Sequence, residues 1–175
     1  MGAASMAFGF RGLPVLEQTP ATLRNILSAA AKDDMNWVPS RGRWSITMVL
    51  AHLADVELNG FVRRFRAIAE EENPSLPAYN QLALFESGAR FDGREELERF
   101  ERRRADTLAW LKDLPRNIES RLGRHEELGV ISFGQLLNEF AFHDLGHIRQ
   151  IAEVFRSRAF YPNMGVFQNY YTIHP

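Results

Sequence analysis

His143 and His147 stand four residues apart in the stretch FAFHDLGHIRQIAEVF, and His52 lies midway along an earlier apolar stretch, WSITMVLAHLADVELNGF. Side chains at i and i+4 share one face of an α-helix, a turn apart, so the later pair of imidazoles can reach a single ion. His52, brought across a bundle, would supply a third nitrogen. Three protein ligands with positions left open is the arrangement of a catalytic metal rather than a structural one, which closes its coordination shell. The competing explanation is packing: a lone inward histidine is ordinarily a satisfied core residue. Two stacked inward histidines without a shared partner are costly to bury, and that favours the metal.

Four amphipathic segments have to position these residues. The first is read as starting at Thr19-Pro20, an N-cap followed by proline at N1, and runs through Leu23, Ile26, Leu27 and Ala30. It stops before Trp37-Val38-Pro39, because Pro39 disfavours helix at the preceding residue. The second opens at Ser45 and runs to about residue 71. The third opens at Asp92, with Glu95 as the partner of a capping box, and ends before Pro115; the fourth opens at Ser132, with Gln135 closing another box, and runs to about residue 156. Residues 72–91 form a long connection with room for a short helix over 79–86, and connections of that length are often functional covers. No strand alternation is evident, Gly129-Val130-Ile131 being too short. The expectation is an all-α four-helix bundle, one domain over residues 10–175, with residues 1–9 outside it as an unstructured or appended leader.

On the fourth segment Phe133, Leu136, Leu137, Phe140, Ile151 and Val154 form an apolar stripe. His143 falls seven after Leu136 and His147 seven after Phe140, so both point inward; His52 shares its face with Met48, Val49 and Val56. Asp144 lies within the same stripe, where it could orient an imidazole or pair with an arginine. Asp55, three after His52, and Gln150, three after His147, are the other candidates for supporting the site. Glu57 and Glu139 read as solvated or salt-bridged, His125 as a loop hydrogen-bonder, and His174 carries no signal. The run Arg102-Arg103-Arg104 amid Glu95, Glu96, Glu98 and Glu101 reads as a solvated, paired face. Phe61 and Phe65 fall opposite His52 and either, with Trp110, form an exposed patch for a twofold partner or pack on the first or third helix.

Composition narrows the function classes. A net charge of −1 and a pI near 6.5 give no call for nucleic acid or an anionic membrane surface. No apolar run is long enough to span a bilayer and the first residues lack a signal-peptide pattern, so a cytoplasmic protein is expected. Cysteine is absent, which removes thiolate ligands and a protein thiol nucleophile. Dinucleotide, phosphate-loop and nucleophile-elbow motifs are missing too.

Trp44-Ser45 leading into His52-Leu53-Ala54-Asp55, followed by the string His143 to Ile151 (HDLGHIRQI), resembles the DinB-like (YfiT-like) metal-dependent superfamily over nearly the whole chain. The resemblance implies an up-down-down-up bundle, one divalent ion held by His52, His143 and His147, zinc or nickel as that ion, and a homodimer. It also implies chemistry on low-molecular-weight thiols such as bacillithiol, or mycothiol-dependent isomerisation, for members of known activity. Gly146 stands where a bulkier residue is frequent between the two histidines.

The leading expectation is a metal-dependent S-transferase acting on a small-molecule substrate with a low-molecular-weight thiol. The alternatives are a metal-dependent hydrolase with Asp55, Asp144 or Glu139 as general base, and a non-catalytic metal-binding stress-response domain. Substrate would enter between the connection around Tyr79 to Phe85 and an aromatic tail carrying Phe167, Tyr170 and Tyr171.

Overall fold

A computed structural model describes residues 11–86 and 88–175, so the expectation for residues 1–9 lies outside the described residues. Helix α1 spans Gly12–Ile26 and a short α2 spans Lys32–Asn36. Helix α3, Ile46–Val56, runs through a π-helical turn, Glu57–Val62, into α4, Arg63–Glu70. Strand β1 (Ser75–Leu76) and α5 (Ala83–Glu86) lie in the long connection, α6 spans Gly93–Asp113, β2 and β3 span Leu122–His125 and Gly129–Ser132, and α7 spans Phe133–Ala159.

Paired residues give the direction of each bundle helix. Lys112 meets Glu17 while Arg94 meets the Ala30 carbonyl, so α1 and α6 are antiparallel. Gly93 packs at Thr47 and Arg104 pairs with Glu57, so α3 and α6 run parallel. Gly12 packs at Leu137 and Ala141, and Asp34 meets Arg158, so α1 and α7 are parallel too. His52 stacks near His147 and Phe65 near Phe133, which sets α3–α4 antiparallel to α7. The topology is the expected up-down-down-up bundle. Its parallel middle pair explains the long connection, because the chain must return the length of the bundle before α6 can start.

The caps at Ser45 and Ser132 form as the sequence suggests, Ser45 accepting from the Met48 N–H and Ser132 with Gln135 making a reciprocal box, whereas Asp92 caps one-sidedly, accepting from the Arg94 and Glu95 N–H groups without the expected box. The start of α1 differs. Thr19 and Pro20 lie inside the helix, where the Thr19 hydroxyl donates back to the Val15 carbonyl instead of capping forward. Pro20 has no N–H for the carbonyl four residues earlier, that of Leu16. Arg104 Nη1 donates to that carbonyl at 3.0 Å, so a side chain from α6 replaces the missing backbone donor. With Leu16, Leu23 and Leu27 fully buried, packing carries the helix across a residue that would otherwise stop it.

The all-α bundle carries one small addition, three short strands, which corrects the reading that no strand forms. β2 and β3 form a hairpin, Leu122 opposite Ser132 and His125 opposite Gly129, and β1 adds in parallel through Ser75–Arg124 and Leu76–His125. Gly129-Val130-Ile131 is thus strand after all. Four residues per strand give too little alternation to register in a sequence, and the pairing that stabilises them comes from forty-odd residues away. The sheet pins the long connection to the segment leading into α7.

The core divides into a half around Leu50, Leu53, Phe100 and Ile151, and a half around Phe65, Phe133, Leu137 and Phe140. The histidines lie on the helices that join them. Phe61 and Phe65 belong to the second half and are buried, so the exposed dimer patch expected there does not exist. The π-turn is the cause: its wider i→i+5 turn delays the helical phase, swinging Phe61 from the far side of His52 round to the site. Among the described residues no helix is long and apolar enough to cross a membrane.

Candidate metal centre

His52 enters from the middle of α3, and His143 and His147 from successive turns of α7. His52 is 2% exposed, while His143 and His147 are partly buried. The three Nε2 atoms converge: His52 to His143 is 3.2 Å and His143 to His147 is 3.2 Å. Nitrogens about 2.0–2.1 Å from a tetrahedral ion stand roughly 3.3 Å apart, so the two spacings match the edges of a zinc-type site. All three groups offer a ligand atom within 4.8 Å of the others.

The electrostatics agree with that geometry. Burial pushes the His52 pKa down to about 3, with His147 and His143 adding to the effect. His143 also falls to about 3, again through burial first, then through His147 and Arg104. His147 is lowered by burial, opposed by its hydrogen bond to Gln150 and by Asp144. Each ring is held neutral, the form that binds a metal. His147 Nδ1 lies 2.8 Å from Gln150 Oε1, which places the proton on Nδ1 and leaves Nε2 free. The Nδ1 atoms of His52 and His143 are buried without a hydrogen-bond partner.

The other two supporting candidates act at one remove. Asp55 accepts from Asn59 and from the Tyr79 hydroxyl, each at 2.7 Å, and so ties the long connection to α3 beside His52. The Tyr79 pKa is raised, by burial and then by that bond to Asp55. Asp144 does not orient an imidazole. It receives Arg104 at 2.6 Å and 3.1 Å, and Arg104 also grips Glu57 through three contacts of 2.9–3.1 Å. Arg104 is 1% exposed and Asp144 and Glu57 are fully buried, which corrects the solvated reading of the arginine run. Burial acts against the Arg104 charge, but Asp144 and Glu57 outweigh it and raise the pKa. Its guanidinium lies between the rings of Phe100 and Phe140, at 4.8 Å and 4.5 Å. The signal was present in spacing: Leu97, Phe100, Arg104, Thr107 and Leu111 form one buried stripe on α6.

Aromatic side chains wall the histidines. Trp44 stands 5.1 Å from His52 and is itself braced by Phe85 at 5.0 Å. Tyr79 lies 6.1 Å from His52, and Phe61 meets the His143 ring edge-on at 5.3 Å. The connection therefore covers the site as expected. The tail does so with different residues: Phe167, Tyr170 and Tyr171 are exposed, and His174 and Pro175 border the cavity instead. His125 ends β2, where its Nδ1 accepts from the Glu127 N–H.

Two cavities adjoin at the cluster, one along the later turns of α7 and one along its earlier turns. One, of about 740 Å³, runs from Trp44, His143 and His147 across Gly146 to Arg43, Arg149 and Arg156. The other, of about 610 Å³, runs from His52 and His143 past Tyr79 to Val56, Phe61, Val130, Ile131 and Leu136. His143 and Glu139 line both. Glu139 is exposed at its surface, yet desolvation raises its pKa, with Arg64 pulling the other way.

Known proteins of similar sequence and structure bear on this cluster. A protein of Oceanobacillus iheyensis, named as a candidate metal-dependent hydrolase, is 26% identical over 142 residues, spanning 79% of this chain and 81% of that one. YfiT of Bacillus subtilis, named in the same way, is 25% identical over 147 residues, 82% of each chain. The solved structure of YfiT, described as an unusual four-helix bundle, superposes with a TM-score of 0.77 over 90% of this chain and 91% of that one, at 24% identity, and shows the fold. The sequence profile of the DinB superfamily matches residues 15–151. With most of its length matched, both bundle halves and all three histidines included, the chain belongs to the DinB superfamily.

Proposed function

We propose that this chain is a metal-dependent enzyme in which His52, His143 and His147 hold one zinc or nickel ion, and that it joins a low-molecular-weight thiol to an electrophilic carbon. Three neutral imidazoles with no thiolate suit either ion. Such an ion, when bound, supplies a Lewis acid that lowers the pKa of a sulfur or oxygen nucleophile towards neutrality.

The observation that carries the reading is the meeting of two cavities at one histidine cluster. A transfer needs two organic partners held face to face, whereas hydrolysis needs one substrate and a water. The chain contains no cysteine, so the sulfur has to arrive with a cosubstrate. Gln150 holds His147 with its Nε2 lone pair turned inward, and Trp44, Phe61 and Tyr79 exclude water around the rings. Glu139, on the wall common to both cavities and with its pKa raised, is placed to take the thiol proton as the carbon–sulfur bond forms and the leaving group departs with its electron pair.

Hydrolysis is the second reading. The names of the relatives favour it, and so does Glu139, the one carboxylate among Asp55, Asp144 and Glu139 not engaged by a hydrogen bond to Tyr79 or Arg104. Incubating metal-loaded protein with small thiols and an aromatic chloride, and separately with activated esters, divides the cases. Thiol conjugation without ester cleavage is expected. Ester cleavage alone would replace the transferase with a hydrolase, and turnover of neither would leave a metal-binding domain.

A cytoplasmic homodimer belongs to the same proposal. Phe142 and Leu145, three apart on α7, are largely exposed and supply the apolar contact that Phe61 and Phe65 do not. Sedimentation at micromolar concentration should give a dimer, and a monomer would remove that part.

A further inference from the structure

His125 is 6% exposed and takes no part in the metal cluster, yet it lines the cavity of about 610 Å³ that His52 and His143 also border. The short sheet holds it there. Its backbone pairs with Leu76 of β1 and Gly129 of β3, and on either side of it the Arg124 and Glu126 N–H groups donate to the Pro74 and Leu76 carbonyls. Its Nδ1 accepts from the Glu127 N–H at 3.2 Å, within the hairpin turn that Gly129 closes with a φ of 79°. An accepting Nδ1 puts the ring proton on Nε2. Among the described residues that Nε2–H has no hydrogen-bond partner, and it is not sealed in as the Nδ1 atoms of His52 and His143 are. A nearly buried ring thus has one edge locked to the turn and leaves one donor for the cavity.

The other donors on that wall are engaged or stand at its rim. The Tyr79 hydroxyl donates to Asp55 at 2.7 Å and Arg64 Nη2 to the Pro77 carbonyl at 3.0 Å, while Gln81 and Gln135 are exposed. Arg64 also feels the charges of Glu139 and Glu127, so one cation stands against two anions and the wall offers no surplus positive charge to an anionic ligand. Val56, Phe61 and Leu136 supply buried apolar surface. An apolar hollow with one fixed donor is the usual form of a pocket for an uncharged molecule, the donor setting its orientation. A buried donor left without an acceptor is costly, and a ligand that supplies one removes the cost.

We propose that the His125 Nε2–H binds the hydrogen-bond acceptor, a carbonyl or ether oxygen, of an uncharged and mainly apolar ligand seated against Val56, Phe61 and Leu136. The bond fixes one end of the ligand and leaves the other to reach the histidines. His125 is then a binding residue outside the metal cluster, and the small sheet is what places it. That this ligand is the electrophile of a transfer rests on the transferase reading; the site itself does not.

1-Indanone and indane share a ring skeleton and differ in one carbonyl, so calorimetric titration of the purified protein with each isolates the acceptor. His125→Asn separates the turn from the donor: the shorter Oδ1 still accepts from the Glu127 N–H, as asparagine does in such turns, while the reach into the cavity is lost. Losing the hydrogen bond to a buried carbonyl should weaken 1-indanone binding about tenfold in this variant, with indane binding, metal content and melting temperature unchanged. His125→Leu should weaken 1-indanone binding as much and also lower the melting temperature, because the turn loses its acceptor. A 1-indanone affinity that His125→Asn leaves as it was, an equal weakening of both probes, or binding of neither probe by the unaltered protein overturns the site. His125-dependent 1-indanone binding in a protein that conjugates no thiol upholds the site while removing the transferase reading.

Discussion

Two buried polar clusters sit side by side on α7, one built on Asp144 and the other on His143 and His147. In the first, Arg104 meets Glu57, Asp144 and the Leu16 carbonyl, so every charged group faces its opposite and every donor an acceptor. In the second, three bases of one kind point their lone pairs at each other across 3.2 Å. Among the described residues nothing completes that group, and two of its Nδ1 atoms are left without partners as well. A cluster that satisfies itself is part of the frame. A cluster of like groups held together at a cost implies a partner from outside, here a cation. The two are mechanically linked, because the residue that locks α7 against α6 lies between the two histidines that α7 presents.

That contrast can be broken most forcefully at Arg104. Arg104→Met leaves two buried carboxylates unpaired, and urea denaturation should show a loss of about 3–5 kcal/mol. Adding Glu57→Leu and Asp144→Leu should recover most of it, since a frame made wholly apolar has no orphaned charge. No recovery would mean that the ion cluster has a role beyond its own pairing.

The histidine cluster should respond to acid in its own window. His52 and His143 have folded-state pKa values near 3 against an ordinary 6.5, so below 6.5 the unfolded chain takes up protons that the folded one refuses. Stability of the metal-free protein from this source is fully present above pH 6.5 and is lost progressively as pH falls towards 3. The double variant His52→Leu, His143→Leu should be less steeply acid-sensitive over that window than its parent; identical slopes would contradict the burial of these rings as neutral bases.

The smallest expected effect is the most pointed comparison with Arg104. At neutral pH and without metal, His143→Leu should change stability by less than about 1 kcal/mol or raise it, because it removes one of three groups that gain nothing from each other. A loss as large as that of Arg104→Met would show that the histidines support the frame.

Some of this was legible in the sequence, and the reasons divide by range. The four-residue spacing of His143 and His147, the caps at Ser45 and Ser132, and the stripe from Phe133 to Val154 are local patterns, and each formed as expected. What escaped depends on distant partners. Pro20 lies within α1 because Arg104, far along the chain, supplies a donor. The hairpin at Leu122–Ser132 is too short to show alternation and leans on Ser75 and Leu76. Phe61 was assigned to the wrong face because a π-turn changes the helical period without a marker in the sequence. Arg104 itself was hidden in a run of arginines, although its register with Phe100 and Leu111 marked it as inward.

The claim underneath all of this is that the three imidazoles await one cation. Elemental analysis of the purified protein, alongside the His143→Ala, His147→Ala double variant, addresses it directly. The expected result is about one zinc or nickel ion per chain in the unaltered protein and almost none in the variant, with helix content unchanged by circular dichroism. Full metal occupancy in the variant, or no uptake of either ion by the intact protein at neutral pH, would contradict the site.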